Sequence, residues 1–282
     1  MKNLLITSLC LFSLTSAHSG VLTPWKDYSD PGIMSSDFER KFSQLPLNGE
    51  SRDPQRLWAN DYWPRKRGGI NYRWNSSNPI GFKLKSPGRT EAMQMSEAEL
   101  AALAPSEKLD ILNGNYDYPL KEEVDETASP QAPLWHGICN GWSPAAINHN
   151  EPVPKTLVNP DGVAVPFGSS DIKALLSYYY AFKHQVRSTH QMGRRCNFWI
   201  EPNCHDDLNA GAFHIVLTNK VGIDGSSFIA DVERKRAVWN HAVNKYSTTI
   251  VRENLAPADD SAPGARFSLT IVVLYLLTAW FQ

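Results

Sequence analysis

Cysteine is scarce in this chain: four residues in 282, at positions 10, 139, 196 and 204. So few thiols exclude a disulfide-dense scaffold, and each one asks for its own explanation. An excess of charge of either sign is missing too. Lys and Arg number 28 against 29 Asp and Glu, for a formal net charge of −1. That balance withholds the electrostatic footprint of a nucleic-acid binder, and the Arg65-Lys66-Arg67 run is too short for a basic patch and reads as a solvated turn. No apolar run reaches the ~20 residues that a membrane-spanning helix needs. The longest, Phe267 to Phe281, is uncharged and reads as one or two buried strands completing a sheet. A weak tail anchor and an altered terminus are the lesser readings, so membrane contact is not expected. Internal repeats are absent as well.

What is present is a globular composition, 42% hydrophobic and 20% charged, enough for one large domain or two small ones. The N-terminus has the form of an export signal: Lys2, an apolar core from Leu4 to Leu14, then Thr15-Ser16-Ala17 before a cut at His18. Residues 1–17 are therefore read as a signal peptide, and the mature protein as secreted or periplasmic. Cys10 leaves with that peptide. Cys196 and Cys204 lie close enough in sequence to bridge each other, with a zinc site from Cys196, Cys204, His205 and Asp206 as the rival reading. Cys139 is then an odd thiol in an oxidising compartment, where an unpaired cysteine needs a reason. Asn75-Ser76-Ser77 fits an N-glycosylation acceptor.

Along the chain, 18–133 reads as a loop-rich and then helical N-terminal region. Gly69 to Trp74 alternates like a strand. Ser96 with Glu99 forms a capping box ahead of Leu100 and Leu103, and Pro105 opens a second helix that runs through Leu112 to Gly114. The polar stretch 121–133 reads as a boundary or linker, with 134–282 beyond it as a catalytic core ending in the apolar segment 267–281. A helix is expected to begin near Cys139, a turn at 158–162, and an amphipathic helix after Gly168 carrying Ile172, Leu175, Leu176 and Tyr179.

Ala212 to Thr218 and Ser226 to Glu233 both read as strands, with a Gly- and Asp-containing turn between them. In that hairpin His214 and Asp231 are cross-strand neighbours, about 5 Å apart at Cβ. A thiol, an imidazole and a carboxylate in that order point to a cysteine nucleophile, its base and an orienting acid. Gly137 and Gly141 flank Cys139 and allow close backbone approach and oxyanion donors. Trp135, Trp142 and Trp239 are candidate walls of such a site. His136, beside the thiol, is a rival base with a rim or packing role as its duller reading.

Four stretches carry a family likeness: MSEAELAALAPSEKLDILNGNYDYPL from Met95, WHGICNGWSPAA from Trp135, PFGSSDIKALLSYYY from Pro166, and GAFHIVLT with the Ser227–Val232 and Val238-Trp239-Asn240 segments. The chain resembles the transglutaminase elicitor family of oomycetes and their secreted bacterial relatives. The resemblance implies an α+β fold with a papain-like or transglutaminase-like core, a Cys-bearing helix packed on an antiparallel sheet bearing His and Asp. It implies an aminoacyltransferase with Cys139 as nucleophile, His214 as base and Asp231 as orienting acid. Its partners would be a protein glutamine as donor and a lysine or polyamine as acceptor, with no nucleic acid. The residues themselves call for no cofactor and show no calcium loop; the resemblance allows Ca²⁺. The rival readings are a cysteine peptidase or glutamine deamidase, and a catalytically inert secreted elicitor or binding protein.

Overall fold

The computed structural model describes residues 25–53, 56–77, 81–82, 84–184, 190–194, 208–232, 237–255, 257, 261–262, 265 and 268–277. The signal-peptide segment, Cys196, Cys204, His205 and Asp206 lie outside the described residues. The fold mixes helices with an antiparallel sheet. In chain order it runs β1 (Asn48–Glu50), α1 (Arg89–Gln94), α2 (Glu97–Ala101), α3 (Pro105–Leu112), α4 (Pro119–Thr127) and α5 (Cys139–Asn148). There follow β2 (Lys155–Val158), β3 (Ala164–Phe167), α6 (Ser169–Tyr178), α7 (Ala210–Leu217), β4 (Phe228–Asp231), β5 (Asn240–Leu255) and β6 (Ser268–Leu277).

Local chemistry starts most of these helices where the sequence announces them. Ser96 accepts from Glu99 N at 3.3 Å, and the Glu99 carboxylate accepts from Ser96 N at 2.7 Å, closing the capping box of α2. Pro105 opens α3, where its missing N–H costs nothing. Glu107 on the same turn accepts from Ala104 N at 3.0 Å. In α6 the Asp171 carboxylate accepts from Gly168 N at 2.7 Å. The polar stretch from 121 is not featureless: α4 occupies its first half, because Asp110 accepts from Leu120 N and Lys121 N at 3.2 and 3.0 Å.

The helical part closes over an apolar cluster of Leu100, Leu103, Ile111, Tyr118, Val165 and Phe167, which joins α2 and α3 to the β2–β3 hairpin. Behind it lies a buried ion pair. Lys108 Nζ donates to Asp171 at 2.7 Å, with 1% and 0% of the two side chains exposed. Asp171 also accepts from Trp74 Nε1 at 2.8 Å. Every oxygen of that carboxylate is thus used, the condition under which a buried charge pair is tolerated.

In the sheet, β5 is the long central strand. β4 and β1 pair with successive parts of it, and β6 pairs with it over Val243 to Leu255, all antiparallel. Within the apolar C-terminal segment, Ser268–Leu277 forms a strand of the sheet, as its composition suggests. Helix α7 packs on this sheet: Phe213 lies 6.0 Å from Phe228, and Leu217 joins Val243 and Tyr246 in one buried cluster.

Two expected strands are not strands. Gly69–Asn71 is a 3-10 turn, entered through Gly68 and Gly69 at φ 101° and 57°, values that the extended chain does not adopt. The segment around His214 is helix α7. Asn209 caps it, its side-chain oxygen accepting from Gly211 N at 2.9 Å and Ala212 N at 3.3 Å. Ala212, Val216 and Leu217 are its buried residues with His214, a helical spacing that a short apolar run hides behind its β-branched composition. The expected 212–218/226–233 hairpin does not exist; β4 pairs instead with β5, Asp231 opposite Asn240.

Candidate active site

Two chain segments lie side by side to build the entrance to α5. Ile138 N donates to Tyr62 O at 2.8 Å, and Arg65 N donates to His136 O at 2.9 Å. A Cβ on Gly137 would stand 2.3 Å from Tyr62 O, so only glycine permits this approach. Cys139 is the first residue of α5. The turn that carries it hangs from Ile138 O, which accepts from Gly141 N and Trp142 N at 3.0 and 2.9 Å. Pro144, inside the helix, has no N–H to offer Asn140 O.

The Cys139 thiol is free and buried, and its S–H donates to Val238 O at 3.6 Å. Asn240 Nδ2 donates toward Sγ at 3.9 Å. Burial is the largest influence and pushes the thiol pKa up. The backbone N–H groups of Asn240 and Asn140 and the Asn240 amide pull it down, and the charge of Asp231 adds to the rise. Cys139 lines a cleft of about 280 Å³ together with Arg65, Trp135, His136, Gly137, Asn140, Val238 and Asn240.

The predicted site residues divide. Asp231 is near enough for its charge to act on the Cys139 thiol: it ends β4 opposite Asn240, and its carboxylate accepts from Trp239 N at 2.8 Å. Trp239 stands edge-on to Tyr62 at 5.2 Å. Trp135 lines the cleft and meets the His136 ring edge-on at 4.2 Å. Trp142 does not line the cleft: it is 0% exposed, its Nε1 donates to Trp58 O at 3.2 Å, and its ring meets His241 at 5.6 Å.

His214 is the residue that does not join. It sits on α7, 5% exposed, with its ring 5.8 Å from that of Phe42. Neither ring nitrogen has a hydrogen-bond partner among the described residues, and burial holds its pKa down. A hydrogen-bonded Cys139–His214–Asp231 chain is therefore not formed in this arrangement; the sheet carries Asp231 but not His214. Among the described residues, the histidine that shares the cleft with the thiol is His136. Sequence reading also missed Arg65, whose run looked like a solvated turn, and Asn140. No local signal marks Arg65, because only the pairing of 62–65 with 136–138 brings it to the cleft.

Among the described residues, no group of three or more His, Cys, Asp or Glu side chains is placed to hold a metal ion, and no helix is long and apolar enough to cross a membrane.

The fold and the site together define a mixed helix-and-sheet protein with a buried thiol at the start of a helix. The family model for the transglutaminase elicitor matches residues 121–263, which is 143 of 282 positions. The chain belongs to the transglutaminase elicitor family. Its fold is similar to that in the crystal structure of the GP42 transglutaminase from Phytophthora sojae, with a TM-score of 0.52 at 21% identity. That likeness covers 79% of this chain and 61% of the other, so the chain matches under two thirds of that protein's length. A search of curated proteins finds no match.

Proposed function

We propose that this chain is an exported cysteine acyltransferase of the transglutaminase type. The observation that carries the reading is the position of Cys139: the first residue of a ten-residue helix, its sulfur beside the Asn240 amide and facing a cleft that also holds a histidine. Family membership supports it, as does the signal-like N-terminus.

In this reading His136 takes the thiol proton, and the thiolate attacks the γ-carboxamide carbon of a protein glutamine. The carbonyl oxygen gains the negative charge. The Asn240 amide and the backbone N–H of Asn140, both of which already act on the sulfur, are the donors at hand for it. The imidazolium of His136 then protonates the leaving nitrogen, ammonia departs, and a thioester remains on Cys139. A lysine side chain or polyamine attacks that thioester, His136 removes the amine proton, and the thiol is regenerated as the isopeptide leaves. Asp231 and Asn240, paired across β4 and β5, hold the strand ends that face the sulfur. With water as second nucleophile the same steps give a deamidase, or a peptidase on a backbone amide. The sequence-based choice of His214 as base gives way to His136 in this reading, because among the described histidines His136 is the one that lines the cleft.

The test is a glutamine-donor peptide with a labelled primary amine. Amine incorporation with ammonia release supports the transferase. Ammonia release without incorporation marks a deamidase. Neither product, with Cys139 inert to iodoacetamide, identifies a binding scaffold.

A further inference from the structure

We propose that Arg65 selects donor substrates bearing a carboxylate close to the reactive glutamine. This deepens the acyl-transfer reading and rests on it. Four other arginines each face a carboxylate: Arg40 with Asp30, Arg56 with Asp53, Arg73 with Glu107 and Arg89 with Asp161. Arg65 has no carboxylate partner among the described residues, although it is half-buried. Its place is nonetheless held firmly. Its backbone N donates to His136 O at 2.9 Å, its carbonyl accepts from Ser129 N at 3.1 Å, and its Nε donates to Thr127 O. With Nε engaged, the two terminal amino groups remain for the cleft that Arg65 lines.

A guanidinium fixed at one nitrogen and open at two presents a fork that matches a carboxylate. The described lining of the cleft contains no carboxylate to answer it. Arg65 runs antiparallel to His136, three residues from the thiol, so a substrate whose carboxamide reaches Cys139 passes its neighbouring residues over Arg65. An acidic side chain next to the glutamine, or a nearby free C-terminus, supplies the missing anion. A cationic neighbour is repelled.

The experiment uses donor peptides identical except for Glu, Gln or Lys at each position flanking the glutamine, each with a free or an amidated C-terminus. The readout is the ratio of kcat/KM for acidic over neutral peptides. For the intact chain a ratio of about 10 is expected at one flanking position. A preference that follows the free C-terminus instead names that carboxylate as the source. In Arg65→Gln the ratio falls to about one, and in Arg65→Lys part of it survives. Raising salt from ~0.05 to ~0.5 M shrinks the ratio of the unmutated chain, which keeps the test open should Arg65→Gln not fold. An intact-chain ratio of one, or a ratio unchanged in Arg65→Gln, overturns the proposal. Fluorescence anisotropy of the same peptides on Cys139→Ala separates the two readings. An Arg65-dependent acidic preference in binding without turnover by the intact chain keeps this inference and removes acyl transfer; turnover without any preference does the reverse.

Discussion

Gly141→Ala should destabilise the packing that presents the thiol, and it should do so against the ordinary rule. In a helix interior alanine is favoured over glycine by about 1 kcal/mol, so propensity alone predicts a more stable protein. The packing predicts the opposite. A Cβ at Gly141 would stand 2.0 Å from Ser177 O, 2.7 Å from Ala181 N and 2.8 Å from Ala181 Cβ. These are mostly backbone atoms, which cannot swing aside as the end of a long side chain can. Non-bonded carbon and oxygen rest at about 3.5 Å, so α5 and α6 have to separate by more than an ångström along their contact. Strain of this kind typically costs 1–3 kcal/mol and occasionally more; after the propensity gain a net loss of about 2–3 kcal/mol is expected for so deep an overlap. Urea unfolding of the two proteins measures it as a lower midpoint, and slower or less selective labelling of Cys139 reports the displaced turn. A Gly141→Ala protein as stable as the parent, or more so, would refute the close α5–α6 contact and with it the placement of the thiol.

Cys139→Ala should lower amine incorporation by at least ~10³-fold, the scale for loss of a covalent nucleophile, with little change in melting temperature. His136→Ala should abolish turnover, while His214→Leu should leave it; the reverse pattern in paired kinetic assays would restore His214 as base. Burial lowers the pKa of His214 from its ordinary 6.5, so the unfolded chain binds this proton more tightly than the folded one. The associated stability is whole above pH ~6.5 and is lost as pH falls toward the lowered folded value, and His214→Leu should flatten that part of a stability-against-pH curve. Lys108→Met leaves Asp171 buried without its ammonium and should cost about 3–5 kcal/mol in urea unfolding. Mass spectrometry without reductant should find Cys196 and Cys204 bonded, contributing roughly 2–3 kcal/mol through loop closure; two free thiols, or bound zinc, would contradict it.

The parts of the fold that the sequence disclosed are those governed by neighbours in the chain. Ser96 and Glu99, Pro105, the turn at 158–162, and the helix after Gly168 each act within a few residues, and each is found where expected. Cys139 was visible because a lone thiol between glycines is unusual, whatever lies around it. The misreadings share a different cause. A seven-residue apolar run around His214 fits a strand or a buried helix equally well, and the decisive residue was the polar Asn209 outside the run. With α7 in place of the strand, the hairpin that sets His214 beside Asp231 has no basis, since the partner of Asp231 is Asn240 on a strand that starts nine residues later. Arg65 and His136 are 71 positions apart in sequence and adjacent in space, a relation no local pattern encodes.

The electrostatics of the resting thiol fit the compartment in which it is proposed to work. Thiolates, rather than thiols, are oxidised and form disulfides. A cysteine exported without a partner is therefore safest when protonated. Burial and the nearby Asp231 charge favour the protonated form of Cys139, while the Asn140 and Asn240 donors favour the thiolate. Burial is the larger influence, so the free protein holds the sulfur as a weak nucleophile. In the proposed acyl transfer a base is then indispensable, and the cleft is the side from which it would reach the sulfur. His136 is on that side, on the segment that also hydrogen-bonds to Arg65. Substrate anchored at Arg65 would press on the same short segment that carries the base. Recognition and deprotonation would then depend on one structural element, the close antiparallel run of 62–65 against 136–138, which Gly137 alone makes possible.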